Sequence, residues 1–214
     1  MSITLTLIIV GITSLISYQA FENPTMRSKL LMHPVSVKQR GEFYRFLTSG
    51  FVHADWSHLL INMYVLYIFG EMIENFFDQI FGAMLGKILF LALYLGAVII
   101  SSVPSYLKHQ DNNYYSALGA SGGTSAIVFA FVFFNPWGWF LFPPLPGIIM
   151  AIGYVMYSSY MSKRGGDNIG HDAHLWGAIY GAVFMVVISL ILNPALLEYF
   201  WSQFIEGPSM PNFL

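Results

Sequence analysis

The stretch "LGASGGTSAIVFAFVFF", residues 118–134, sets Ser121 between glycines at the mouth of an otherwise apolar run. A helix from Ser121 to Phe134 would be about 21 Å long, roughly 9 Å short of a hydrocarbon core of about 30 Å. Asn135-Pro136 ends it, because the residue before a proline is pushed out of the α region. If the far end reaches the opposite boundary, Ser121 lies below the surface. The loop before it must then dip into a protein-lined, water-accessible cavity, since unsatisfied backbone is not tolerated against lipid.

Working outward, 56% of the 214 residues are hydrophobic and 9% are charged, against roughly a quarter charged in an ordinary soluble domain. Uncharged stretches longer than about 18 residues mark an all-α membrane protein, with the lipid bilayer as its surroundings. Six spans are predicted: Ile3–Ala20, Ser57–Phe77, Met84–Val103, Ser121–Phe134, Gly147–Met161 and Ala173–Leu192. They form a six-transmembrane-helix bundle, a single membrane domain over residues 1–214. Residues 22–56 are an interfacial first loop, with Arg27, Lys29, Lys38, Arg40 and Arg45 among apolar neighbours, and residues 193–214 a C-terminal tail. The first apolar stretch lacks the positively charged leader of a signal peptide and is read as a retained helix. Trp137, Trp139 and the run Pro143-Pro144-Leu145-Pro146 suit a loop at headgroup level, and "KRGGDNIGHD", residues 163–172, a polar loop before the last span.

A net charge of −2 without a basic cluster gives no reason to expect a nucleic-acid partner. The absence of cysteine removes thiolate nucleophiles and Cys-ligated metals, so a nucleophile must be a hydroxyl.

In an antiparallel serpentine the N-terminal ends of helices two, four and six meet at one face. His58 and Asn62, Ser121, and His174 stand at those ends. Of the nine Lys and Arg, only Lys87 opposes that face, so the positive-inside rule makes it cytoplasmic.

Polar groups inside spans are expensive and need a reason. A membrane serine among glycines is ordinarily a packing residue. Here Gly119, Gly122 and Gly123 strip side chains from around the hydroxyl, easing the approach of a substrate backbone. The helix N-terminus adds free N–H groups for an oxyanion. His174 opens "AHLWGAIYG", with Gly177 and Gly181 at i+3 and i+7, so one helical face carries a base followed by two notches. In the functional reading His174 takes the Ser121 proton, and the notches let helix six approach helix four. In "HADWSHLLIN", His58 and Asn62 are four apart and share a face, from which both can donate to a tetrahedral intermediate. Polar contact between helices is the alternative for Asn62 and, more so, for His53. Glu71 and Glu74, near the far end of helix two, suit structural contacts.

Two rival motifs fail on context. "GASGG" fits G-x-S-x-G, and Asp167 or Asp172 before His174 completes a Ser, Asp, His order, but no βα array surrounds them. His171-x-x-His174 lacks an H-E-x-x-H pattern and an obvious third ligand, so no metal is expected.

Together these residues resemble the rhomboid intramembrane serine proteases. The likeness spans five segments in order: Tyr44-Arg45, His53 with His58-x-x-x-Asn62, Gly70-x-x-x-Glu74, Gly119-x-Ser121-Gly122, and Ala173-His174-x-x-Gly177-x-x-x-Gly181. The resemblance implies Ser121 as nucleophile and His174 as base in a dyad without a carboxylate. Asn62, His58 and the Ser121 N–H would form the oxyanion hole. His53 would support the site's roof, Glu74 would stabilise the bundle, and Gly119 and Gly177 would permit helix contact. The fifth helix, about Gly147–Met161, would gate lateral access of substrate.

Two positions depart from the family pattern. Tyr44-Arg45 stands where Trp-Arg is usual. Ser125 stands where a tyrosine four residues after the nucleophile commonly stacks on the histidine; Tyr157 and Tyr160 are candidate substitutes. The family also implies a site opening away from the cytoplasm, against the charge distribution. The expected function is cleavage of single-pass transmembrane proteins without a cofactor, in a bacterial inner (plasma) membrane with the site on the extracytoplasmic side. The alternative is a catalytically inactive relative that binds membrane helices for folding or quality control.

Overall fold

The apolar runs fold as helices close to the expected spans. In the computed structural model, which describes residues 3–140, 144–164 and 170–208, these are α1 (Leu5–Glu22), α5 (Trp56–Phe81), α6 (Ala83–His109), α7 (Ser121–Phe134), α8 (Gly147–Arg164) and α9 (His171–Leu192). The first connector folds as α2 (Pro24–Leu30), α3 (Pro34–Arg40), α4 (Arg45–Thr48) and a 3-10 turn at Ser49–Phe51. After α9, Ala195–Glu206 forms α10.

Burial explains the order. The short α7 is buried along nearly its whole length, enclosed by α5, α6 and α9, and a helix hydrophobic all round belongs in such a position. The outer helix α8 keeps Ile149, Ile152, Met156, Tyr157 and Tyr160 exposed. α1 and α5 run antiparallel: Thr6 of α1 lies against Gly70 of α5, while Phe21 meets Trp56 with ring centroids 5.0 Å apart.

The chain is a multi-pass membrane protein of the mostly helical class. α1, α6 and α9 are long and apolar enough to cross a membrane, and α7 is a shorter apolar helix. α5 and α8 are long but more polar: α5 carries Asn62, Glu71, Glu74 and Asp78, and α8 ends in Lys163 and Arg164.

α6 does not stop at Val103 as expected but runs through Pro104 to His109. Pro104 leaves the Ile100 carbonyl without its i+4 N–H donor; nearby, Ser101 and Ser102 both donate to the Val98 carbonyl, at 3.3 and 3.1 Å.

The first connector is tied by Arg45, a buried guanidinium. Its Nη1 donates to the Ser28 and Leu31 carbonyls at 2.8 and 2.7 Å, and its Nε to Glu42 at 2.6 Å. Pairing and several hydrogen bonds are what make a buried charge tolerable. At the opposite end, β1 (Trp139–Phe140) pairs antiparallel with β2 (Leu145–Pro146). Trp137 there donates to the Phe204 carbonyl of α10 at 3.0 Å. Pro143 and residues 165–169 of the 163–172 loop, Asp167 included, lie outside the described residues.

Candidate active site

The segment leading into Ser121 is fastened to the first connector residue by residue. Ala117 forms an antiparallel bridge with Met32, the Gly119 N–H donates to the Ser49 carbonyl at 2.9 Å, and the Ala120 N–H donates to His53 Nε2 at 3.2 Å. Gly119 has φ +119°, a conformation L side chains rarely adopt, and a Cβ there would come within 2.6 Å of the His58 ring. Glycine is therefore required at this turn twice over.

The turn delivers Ser121 as the first residue of α7, buried, with no side chain capping the helix. The amides of that first turn have no intrahelical acceptors, so they and the positive end of the helix dipole are available to an anion.

α5 supplies the opposite wall. Asp55 caps it by accepting the His58 N–H at 2.8 Å. His58 then stands edge-on to His53, with ring centroids 5.0 Å apart. One turn on, buried Asn62 donates through Nδ2 to the His58 carbonyl at 2.8 Å and accepts through Oδ1 from Thr124 Oγ1 at 3.1 Å. The His58 carbonyl, which can only accept, fixes which way the Asn62 amide faces, and Thr124, whose Oγ1 also lies 3.2 Å from the Ser121 carbonyl, ties that amide to the first turn of α7. Thr124 lies on α7 three residues after Ser121, a spacing that marks a shared face once α7 is known to point at α5; sequence reading missed it.

His53 is fully buried between α1 and the loop before α7, with Ser17 Oγ 2.9 Å from its Nδ1. Burial first, then the neighbouring His58, against an opposing pull from Asp55, pushes its pKa down to about 3. It supports the turn as a neutral ring.

α9 reaches α7 through its notches. A Cβ on Gly177 would collide with the Gly122 carbonyl, and one on Gly181 would stand 2.5 Å from the Ala126 oxygen. The contacts advance by four residues on both helices, so α7 and α9 run parallel in a fixed register. His174, three residues before Gly177, therefore lies level with the turn that leads into Ser121. The ring stacked on His174 belongs to Tyr154 of α8, with centroids 5.8 Å apart and planes 22° apart. The Tyr154 hydroxyl is hydrogen-bonded to Ser125 Oγ at 2.7 Å. The expected substitutes sit elsewhere, Tyr157 edge-on to His171 and Tyr160 beside Arg164.

The glycines around Ser121 serve the protein rather than an open approach, which corrects one expectation. Gly119 faces His58, Gly122 faces Ser101 of α6, and Gly123 faces Tyr94, whose ring carbon a Cβ would approach to 2.6 Å. Their work is close helix packing.

Glu74 lies three turns beyond Asn62, about 18 Å along the helix at about 1.5 Å per residue. Its carboxylate accepts the Leu5 and Thr6 N–H groups, both at 2.8 Å, and the Thr6 hydroxyl at 2.9 Å. Glu71 accepts from Thr4 Oγ1. Both bind the N-terminal end of α1. Among the described residues, no group of three His, Asp or Glu is placed to hold a metal ion with His171 and His174.

Residues 40–191 match a family model described as "Rhomboid domain". The chain is 26% identical over 193 residues to "RHOMBOID-like protein 12, mitochondrial" of Arabidopsis thaliana, covering 85% of this chain and 56% of that protein. It is 33% identical over 141 residues to "Presenilin-associated rhomboid-like protein, mitochondrial" of Bos taurus, covering 63% and 35%. With "Putative rhomboid protease YdcA" of Bacillus subtilis (strain 168) it shares 28% over 152 residues, covering 66% and 65%. The chain thus spans 56% of the plant relative and 35% of the bovine one.

Proposed function

We propose that this chain, which belongs to the rhomboid family, is an intramembrane serine endopeptidase that cleaves single-pass transmembrane proteins with a Ser121–His174 dyad. What supports this reading is the parallel contact of Gly177 on Gly122, with His174 three residues before Gly177 and buried Ser121 one residue before Gly122.

In this reading Ser121 Oγ attacks the scissile carbonyl while His174 takes its proton, then returns it to the leaving amine. Water, activated by the same imidazole, releases the acyl group and restores the serine. The oxyanion is received by the Ser121 N–H, by the second N–H of Asn62 Nδ2, which its bond to the His58 carbonyl leaves over, and by His58. His53, Gly119, Gly122 and Gly177 hold these groups in place, and Glu74 anchors α1. A substrate helix must unwind locally, because an intact helix keeps its carbonyls bonded and shielded. No cofactor is needed for these steps.

The same proposal takes residues 1–214 as one membrane domain in which α1, α5, α6, α7, α8 and α9 make six spans, residues 22–56 lie at the interface and residues 193–214 form a tail. The relatives named as mitochondrial do not support a bacterial inner membrane in particular. The proposed orientation follows the family, with the site opening away from the cytoplasm.

The test is covalent labelling with an alkyl fluorophosphonate, together with cleavage of a reconstituted single-pass substrate. The natural chain labels and cleaves; Ser121→Ala and His174→Ala do neither. A natural chain that binds membrane helices but does neither would favour the inactive, helix-binding relative.

A further inference from the structure

Tyr154 joins three helices at one point. Its backbone belongs to α8, its hydroxyl is bonded to Ser125 of α7 at 2.7 Å, and its ring lies on the imidazole of His174 of α9. Ser125 is buried and four residues beyond Ser121, on the same face of α7. Phe129, a further turn on, has its ring centroid 6.2 Å from that of Tyr154. The tyrosine therefore lies along the α7 surface between Ser125 and Phe129, and its hydroxyl is held at the end of a rigid ring.

This matters because the rest of α8 is weakly held. Only Gly147, Ala151 and Ser158 of that helix are buried, all small, and its large side chains face outward. An imidazole on the first turn of a helix has two free torsions, and a planar neighbour within stacking distance removes much of that freedom.

We infer that Tyr154 is the positioning residue for the proposed base: its ring braces His174, its bond to Ser125 fixes the ring, and the base is therefore in register with Ser121 only while α8 is seated on α7. The inference rests on the proposed Ser121–His174 chemistry for its kinetic consequence, though not for its geometry.

Saturable inactivation of the full chain by an alkyl fluorophosphonate separates the chemical step (kinact) from probe binding (KI). Tyr154→Leu is expected to lower kinact at least tenfold with KI within about twofold. Tyr154→Phe, which keeps the ring, should restore kinact to within about threefold of the natural value. Ser125→Ala should match Tyr154→Phe, and the double variant should be no slower than either, because both remove one bond. Natural kinact in Tyr154→Leu overturns the inference, as does a loss of kinact in Tyr154→Phe as large as that in Tyr154→Leu. The His174 geometry is read without activity from the His174 Cε1–H resonance in protein carrying labelled histidine. The resonance moves in Tyr154→Leu and stays in Tyr154→Phe; an unmoved resonance in Tyr154→Leu also overturns the inference. If the natural chain fails to react while the resonance shifts as stated, the protease reading fails and the brace stands.

Discussion

His53 accepts the Ala120 N–H through Nε2, at 3.2 Å, and this one bond assigns its tautomer. The proton must sit on Nδ1 and point to Ser17 Oγ, 2.9 Å away, which in turn donates to the Phe51 carbonyl at 2.9 Å. A neutral, singly protonated ring satisfies every partner, whereas a doubly protonated one would set two N–H groups against each other at Ala120. With the folded pKa held near 3 and the unfolded value near 6.5, the ring's contribution is complete above about pH 6.5 and is lost as pH falls toward 3.

His53→Gln removes that titration. The variant is expected to be about 1–2 kcal/mol less stable than the natural chain at pH 7, having lost a well-aligned buried bond. The difference should shrink as pH falls from 6.5 to 4. Urea unfolding in mixed micelles at several pH values reads both; a pH-independent difference would exclude the neutral-ring account.

Gly177→Ala forces a methyl group into the Gly122 carbonyl, and backbone cannot yield as a side-chain tip does. It should destabilise the chain by about 1–3 kcal/mol, as overpacking does, and abolish fluorophosphonate labelling by displacing His174. Gly153→Ala on α8, which would meet nothing within 4 Å, should leave melting and labelling unchanged. The pair separates a notch from a bystander.

Thr124→Val is nearly isosteric but removes the hydroxyl that holds Asn62 Oδ1 against α7. Under the proposed mechanism activity should fall about tenfold, less than the roughly 10²–10³ expected if Asn62→Ala removes an oxyanion donor. Thr124→Ser should recover most of it. Equal rates for Thr124→Val and the natural chain would mean that Asn62 is held by other means.

Glu74→Gln replaces a carboxylate that receives three hydrogen bonds at the start of α1. Bonds to a charged group are worth about 1.5–3 kcal/mol each against roughly 1 for neutral ones, so the melting temperature should drop. The labelling rate per folded molecule should not, because the site lies several turns away.

A protease site inserted in the 163–172 loop tests orientation. Cleavage in intact cells supports the face opening away from the cytoplasm. Cleavage only after lysis would side with the charge distribution, in which eight of the nine Lys and Arg, all but Lys87, lie on the first connector or at the helix ends of that face.

The helices were legible because their signals are local. The Ser121 start and the Asn135-Pro136 stop bound α7 at both ends, and the i+3, i+7 glycines after His174 named the surface that meets α7. The extension of α6 past Pro104 was not legible, since a proline ordinarily ends a helix and only the packed structure shows that this one does not. Nor was the hold on His174. Ser125 announced that something was missing, but Tyr154, Tyr157 and Tyr160 differ in nothing a sequence can display except which side of α8 faces α7 and α9. The partners of the Ser121 turn were hidden for a related reason: Met32 and Ser49 act through backbone atoms, which every residue possesses.

Those backbone handholds have a kinetic meaning. Each joins the turn before Ser121 to a segment at least 67 residues earlier in the chain. Contacts closing loops of that length are entropically late compared with the hairpins of adjacent helices. α7 can thus insert and become helical before its N-terminal turn acquires its final shape. That turn is complete only once the first connector has docked, so the geometry around Ser121 is a record of completed assembly.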